Sequence, residues 1–166
     1  MTNSLLNRTL IVAILLGVSS LLVLSFIQRF TISIPNIQSQ CLETTMFIVD
    51  KHDIDIQPGD LVAFTFNKDD PHFDKGMSFI KIVAAKSGDS VSVSQDELKV
   101  NGQKVGIAGM RHVVNFLELN PSDYEYDVVI EENELFVVGE TIYSYDSRYW
   151  GAIDTSTILG KAYAIF

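Results

Sequence analysis

The sequence contains one cysteine, Cys41, in 166 residues. An intramolecular disulfide and a multi-cysteine metal cluster are therefore excluded. Histidine is scarce too. His52, His72 and His112 form neither an H-x-x-H nor an H-E-x-x-H pattern, so a zinc site would need ligands from distant segments. They read as loop or surface residues. There is no G-x-S-x-G elbow, no P-loop and no Rossmann fingerprint, and no metal or cofactor is expected. Basic residues are outnumbered, 12 Lys+Arg against 21 Asp+Glu, for a net charge of -9. Phosphate contacts need clustered cations, so this balance argues against nucleic acid as a partner.

Charge is missing altogether from Thr9 to Gln28, between Arg8 and Arg29. As a helix this stretch is about 30 Å long, the thickness of a bilayer core. It is apolar all round, which excludes an amphipathic helix lying on a surface. A cleavable signal peptide is the rival reading, but SFIQRF after Leu24 offers no Ala-x-Ala-like site. Residues 1–29 are expected to carry an uncleaved transmembrane anchor. One arginine on each flank leaves the positive-inside rule undecided. Because Arg8 and Arg29 are the only charges of 1–29, the remainder has 10 Lys+Arg against 21 Asp+Glu, net -11.

From Phe30 onward the pattern is β-like. FTISI alternates and ends at Pro35. MFIVDK, DLVAFTF and FIKIVAA are short runs rich in Val, Ile and Phe. Turn signals separate them at Gln57-Pro58-Gly59-Asp60, at Asn67 to Pro71 and at Ser87-Gly88-Asp89. Asn101-Gly102, between Leu98-Lys99-Val100 and Gln103-Lys104-Val105, predicts a type I′ hairpin. DVVIEENELFVVGE predicts a second hairpin with Glu132-Asn133 near its tip, and ILGKAYAIF a last strand. Residues 106–127 have no clean period and read as a peripheral hairpin or an insertion. No amphipathic helix of useful length is expected after residue 30. The fold class predicted is all-β: an antiparallel, barrel-like domain (30–166) on one N-terminal helix.

Three places can carry chemistry. Cys41 is either a small buried hydrophobe, as most free cysteines are, or a nucleophile activated by a neighbouring base or cation. Lys81 interrupts an apolar run. Alternation puts Lys81, Val83 and Ala85 on one face and Ile80, Ile82 and Ala84 on the other. An edge-strand lysine facing water and a desolvated lysine able to act as a general base both fit that pattern. Asp146 to Gly151 (DSRYWG) is a polar-aromatic cluster, readable as a turn with an Asp146–Arg148 ion pair and a half-buried Trp150.

Taken in order, these segments resemble the type I signal peptidases (family S26), and most closely the conjugative-transfer (TraF-type) peptidases, over roughly residues 10–166. Ser39-Gln40-Cys41-Leu42 is similar to the family's nucleophile segment. Pro58 to Val62 is similar to its Gly-Asp strand, and Phe79 to Ala84 with Ser87-Gly88-Asp89 to its lysine box. Ser144 to Gly151, then Ile158 to Ala162, resembles its closing box.

The resemblance implies roles. Cys41 stands on the nucleophile, where the family has serine, and Lys81 on the general base. Ser39 and the Cys41 backbone N–H fall on the oxyanion hole. Ser144 falls on the hydroxyl that orients the lysine, and Asp146 and Arg148 on a structural ion pair. It also implies a single-pass protein of the bacterial inner membrane with a periplasmic β-rich peptidase domain. The partners implied are the lipid bilayer and a signal-peptide-bearing preprotein, in the TraF-type branch pilin; the oligomeric state is not implied. The sequence departs from the family pattern at several positions: Cys41 for serine, Glu43 for the proline two residues on, Thr44-Thr45 where a glycine, or a threonine in other branches, is expected nearby, and Gly139-Glu140-Thr141 for Gly-Asp-Asn. They leave open an alternative, a catalytically inactive membrane-tethered scaffold or binding module.

Overall fold

The computed structural model describes residues 2–34, 41–107 and 109–165. Helix α1 (Thr2–Arg29) contains the apolar run. Its segment Leu10–Arg29, with mean hydropathy 2.8, is long and apolar enough to cross a membrane. The helix passes without a loop into β1 (Phe30–Ser33).

The described residues form two antiparallel sheets. The larger contains β1, β2 (Phe47–Asp50), β3 (Leu61–Thr65), β4 (Ser78–Lys86), β9 (Glu134–Val138), β10 (Ile153–Asp154) and β11 (Ile158–Ala164), in the order β1-β2-β11-β3-β4-β9-β10. The smaller has the order β7-β6-β5-β8, from β5 (Ser90–Val93), β6 (Leu98–Val100), β7 (Gln103–Val105) and β8 (Tyr126–Val129). Among the described residues neither sheet closes on itself. The expected antiparallel β fold on one N-terminal helix is observed, as two sheets, the chain leaving the larger one at the Ser87-Gly88 turn to start the second.

The Asn101-Gly102 turn is as predicted. Both residues have positive φ, 51° and 75°, the geometry a type I′ hairpin needs. The second predicted hairpin does not form. β8 pairs with β5 (Val91↔Val128) and β9 pairs with β4 (Val83↔Val137), in different sheets. Between them Ile130, 2% exposed, exchanges backbone hydrogen bonds with Gly88 and Asp89. Each strand has a better partner far away in sequence, which local alternation cannot reveal.

Residues 106–127 are not a hairpin either. They contain a short helix α2 (Arg111–Phe116) and a 3-10 turn (Pro121–Tyr124). Six residues are too few to display a helical period. The helix is fixed by burying Val113 and Val114 rather than by a side-chain cap.

Strand β9 separates two cores. Leu135 and Val137 point into one with Val62, Phe64, Phe66, Val83 and Ile153. Phe136 and Val138 point into the other with Val91, Val93, Leu98 and Met110. Burial on both faces explains why its sequence reads as an unbroken apolar run.

Candidate active site

β4 has neighbours on both sides, β3 and β9. Lys81, Val83 and Ala85 are all buried, Lys81 at 1% exposed, but the one-face expectation fails at Ala85: the ladder to β9 shifts register between Val83 and Ala85, and the two pack into different cores. An edge-strand lysine facing water is excluded. The Lys81 Nζ donates to Ser144 Oγ at 2.9 Å and to the Tyr145 carbonyl at 3.2 Å. It also lies 5.9 Å from the centroid of the Trp150 ring.

Ser144 is 1% exposed, and its hydroxyl donates to Asp146 Oδ2 at 2.6 Å. Its one proton is committed there, so toward Lys81 it can only accept. Asp146, fully buried, takes further bonds from the Gly139 N–H at 2.9 Å and from Arg148 Nε and Nη2 at 2.7 and 2.6 Å. Its other oxygen caps α3 (Ser147–Trp150) through the Arg148 N–H at 3.2 Å. The ion pair anticipated for Asp146 and Arg148 is present and buried. Burial pushes Asp146 up, but the Arg148 guanidinium overcomes this and holds the carboxyl below its ordinary range, with help from Lys81 and Ser144. Burial pushes Arg148 down. Asp146 more than offsets that, with smaller contributions from Tyr149 and Cys41.

Cys41 is partly exposed. Its segment meets the cluster through the backbone. The Cys41 carbonyl accepts from Glu140 N at 2.8 Å and Thr141 N at 3.3 Å, and the Glu43 N–H donates to Glu140 Oε2 at 3.0 Å. Gly139 is wedged between the two halves: a Cβ there would strike the Ser144 side chain and the Cys41 carbonyl. One short segment, Gly139 to Ser144, thus holds the cysteine segment at one end and the lysine at the other. Ser39, the sequence candidate for an oxyanion donor, lies outside the described residues.

His52, His72 and His112 are all exposed. Among the described residues no group of three or more His, Cys, Asp and Glu converges as a metal centre would.

Sequence reasoning missed two supports. Glu140 was read only as a departure from a pattern, yet its amide and its carboxylate both hold the cysteine segment. Asp70 was read only as part of a turn. Its carboxylate accepts the Tyr145 hydroxyl at 3.0 Å and the N–H groups of His72 and Phe73 at 2.8 and 3.2 Å. This ties the β3–β4 loop to the residue whose carbonyl receives Lys81. The Asp-x-His spacing of an Asx turn was the available signal. Phe66, Phe73 and Phe79 surround Trp150 at centroid distances of 5.0, 5.9 and 6.1 Å and close the apolar side of the lysine's surroundings.

The family described as signal peptidase, peptidase S26, matches residues 5–166. A probable signal peptidase I-2 from Synechocystis sp. is 30% identical over 173 residues, spanning 97% of this chain and 72% of that protein. A signal peptidase I from Enterococcus faecalis, known from its crystal structure, is 20% identical with a TM-score of 0.43; the match covers 63% of this chain and 94% of that one.

Proposed function

The chain belongs to the peptidase S26 family and is a signal peptidase I-like protease, and we propose that it cleaves exported preproteins with a Cys41/Lys81 dyad. On this reading residues 1–29 are the membrane anchor and 30–166 the peptidase domain, facing the periplasm from the bacterial inner membrane. The observation that carries the proposal is the pair of hydrogen bonds that Lys81 makes in a buried site beside the segment holding Cys41.

Both partners of Lys81 are acceptors. A neutral amine has two N–H groups and one lone pair. With both N–H groups directed to Ser144 Oγ and the Tyr145 carbonyl, the lone pair is what remains to take a proton. The Cys41 thiol then attacks the scissile carbonyl carbon while its proton passes to Lys81 Nζ. Collapse breaks the C–N bond, Lys81 returns the proton to the leaving amine, and a thioester stays on Cys41. Ser39 and the Cys41 N–H stabilise the oxyanion, at about 3 kcal/mol per donor in a comparable protease. Water, deprotonated by Lys81, hydrolyses the thioester and restores the thiol.

The substrate enters as an extended strand. The first half of β4, Ser78–Lys81, pairs with β3, whereas β9 pairs only from Ile82 onward. An extended peptide added along the open side of that half brings its backbone up to Lys81. The preprotein class closest to the TraF-type resemblance is pilin in conjugative transfer. Thioesters favour amines over water more than esters do, so transfer to an amine, with cyclisation of the product, is the alternative fate of the intermediate.

The test needs no substrate. Cys41 is alkylated with iodoacetamide across a pH series in the parent and in Lys81→Ala. Reactivity that depends strongly on Lys81 is expected. A thiol that behaves alike in both proteins would overturn the dyad and favour the inactive, membrane-tethered scaffold.

A further inference from the structure

The tip of the β3–β4 hairpin reaches Lys81 by a route that does not pass through Ser144. The paired strands end with Thr65 facing Ser78. Beyond them the Phe66 N–H donates to the Met77 carbonyl at 2.7 Å and the Gly76 N–H to the Phe66 carbonyl at 2.8 Å, which closes the base of the loop. At the tip Asp70 divides its carboxylate between two tasks. Oδ1 accepts the His72 and Phe73 N–H groups at 2.8 and 3.2 Å, an Asx turn that folds the loop on itself. Oδ2 accepts the hydroxyl of Tyr145, 75 residues away, at 3.0 Å.

Tyr145 is 8% exposed, and His72, Phe73, Tyr149 and Trp150 pack around its ring at centroid distances of 5.2, 5.8, 4.6 and 5.3 Å. Burial pushes its phenol up, and the bond to Asp70 adds to this, so the hydroxyl keeps its proton and donates. Burial among rings is largely non-directional. A hydrogen bond to an ionised acceptor is directional and among the stronger ones. The same residue gives its backbone carbonyl to Lys81 Nζ at 3.2 Å.

That carbonyl decides how the amine is ordered. A neutral amine carries two N–H groups and a lone pair. Ser144 Oγ takes one N–H, and the other N–H and the lone pair can then occupy the two remaining positions in either order. An acceptor at one of them draws the N–H and leaves the lone pair at the other. We propose that Asp70 and Tyr145 are positioning residues for the reaction: their hydrogen bond holds the Tyr145 carbonyl where it orders the Lys81 amine, so that the lone pair meets the Cys41 thiol. This rests on the reading of Lys81 as the base. The half of β4 whose open side takes the substrate, Ser78–Lys81, is the outgoing strand of the same hairpin. One structural unit therefore sets both the substrate's path and the second acceptor of the base.

The experiment uses the full chain in lipid vesicles, with two readouts: iodoacetamide alkylation of Cys41 across a pH series, and cleavage of a model preprotein with one apolar helix and an Ala-Ser-Ala cleavage segment. Tyr145→Phe keeps the ring and the carbonyl and removes only the hydroxyl. Asp70→Ala removes the acceptor, and Asp70→Asn keeps a hydrogen-bonding group opposite the hydroxyl. Tyr145→Phe and Asp70→Ala are each expected to lower kcat by about tenfold at a nearly constant KM. The double variant should lose no more than either single one, because both break one bond, and Asp70→Asn should recover most of the loss. In both single variants the pH profile of alkylation should move from the parent's toward that of Lys81→Ala. Lys75→Ala, in the same loop and exposed in its pair with Asp69, should match the parent.

Additive losses, a raised KM at unchanged kcat, or an equal loss in Lys75→Ala would overturn the positioning role alone. So would profiles of Tyr145→Phe and Asp70→Ala that coincide with the parent's while Lys81→Ala differs. If the parent cleaves none of the model preprotein, the alkylation profiles decide. Should Asp70→Ala fail to fold, Tyr145→Phe decides. A Lys81→Ala profile identical to the parent's would overturn the dyad and this proposal with it.

Discussion

Lys81 and Ser144, 63 residues apart in sequence, meet through a 2.9 Å hydrogen bond at a place where each is 1% exposed. The bond runs in one direction, from amine to hydroxyl, because the Ser144 proton is already given to Asp146. A buried serine thus fixes the position of the lysine while its own proton stays with Asp146.

Replacing Lys81 by Met keeps the stem and removes the amine proposed as the base. Turnover of a preprotein substrate should fall by about 10²–10⁴-fold with KM little changed. Ser144→Ala should cost about 10²-fold by releasing the lysine from its position. Steady-state cleavage assays on both variants check the order; equal losses would contradict a positioning role for Ser144.

Gly139→Ala tests the wedge. The added methyl has no free space against Ser144 and the Cys41 carbonyl. The backbone must shift, at about 1–3 kcal/mol. Urea unfolding should show the loss of stability, and alkylation of Cys41 should change with it, because both halves of the site hang on this segment.

Asp146→Asn removes the carboxylate charge that faces the buried Arg148 guanidinium, which should cost about 3–5 kcal/mol at neutral pH. The native Asp146 carboxyl sits below its ordinary range. Its stabilisation is therefore complete above about pH 4, the value for an unfolded aspartate, and is lost as pH falls through the lower native value. Urea midpoints measured down a pH series should converge for parent and variant in acid and separate toward neutrality. A constant gap would show that ionisation of Asp146 is not what stabilises.

Glu140 holds the Glu43 N–H with its side chain and the Cys41 carbonyl with its own amide. Glu140→Ala should lower kcat by about tenfold at a nearly constant KM, through a loosened cysteine segment. Glu140→Gln keeps an acceptor oxygen and should recover most of the activity. If Gln were no better than Ala, the carboxylate would act by charge rather than by this bond.

What the sequence determined by itself is local. A charge-free, apolar stretch from Thr9 to Gln28 specifies the α1 helix, long and apolar enough to cross a membrane. Alternation assigned Lys81 to the same face as Val83, and Asn101-Gly102 specified its own turn, because side-chain period and positive φ belong to adjacent residues. The short spacing of Asp146 and Arg148 made their ion pair readable. Tertiary structure alone decided whether the Lys81 face was wet or dry, since that depends on Ser144, Tyr145 and Trp150, more than sixty residues away, packing over it. It also sent β8 and β9 to different sheets although their sequence reads as one hairpin. Likewise, Cys41 and Glu140 meet across nearly a hundred residues by backbone hydrogen bonds, which any residue can make and no pattern announces. Local period reports the conformation of a segment; burial and partnership come from contacts distant in the chain, whose energies no single segment contains.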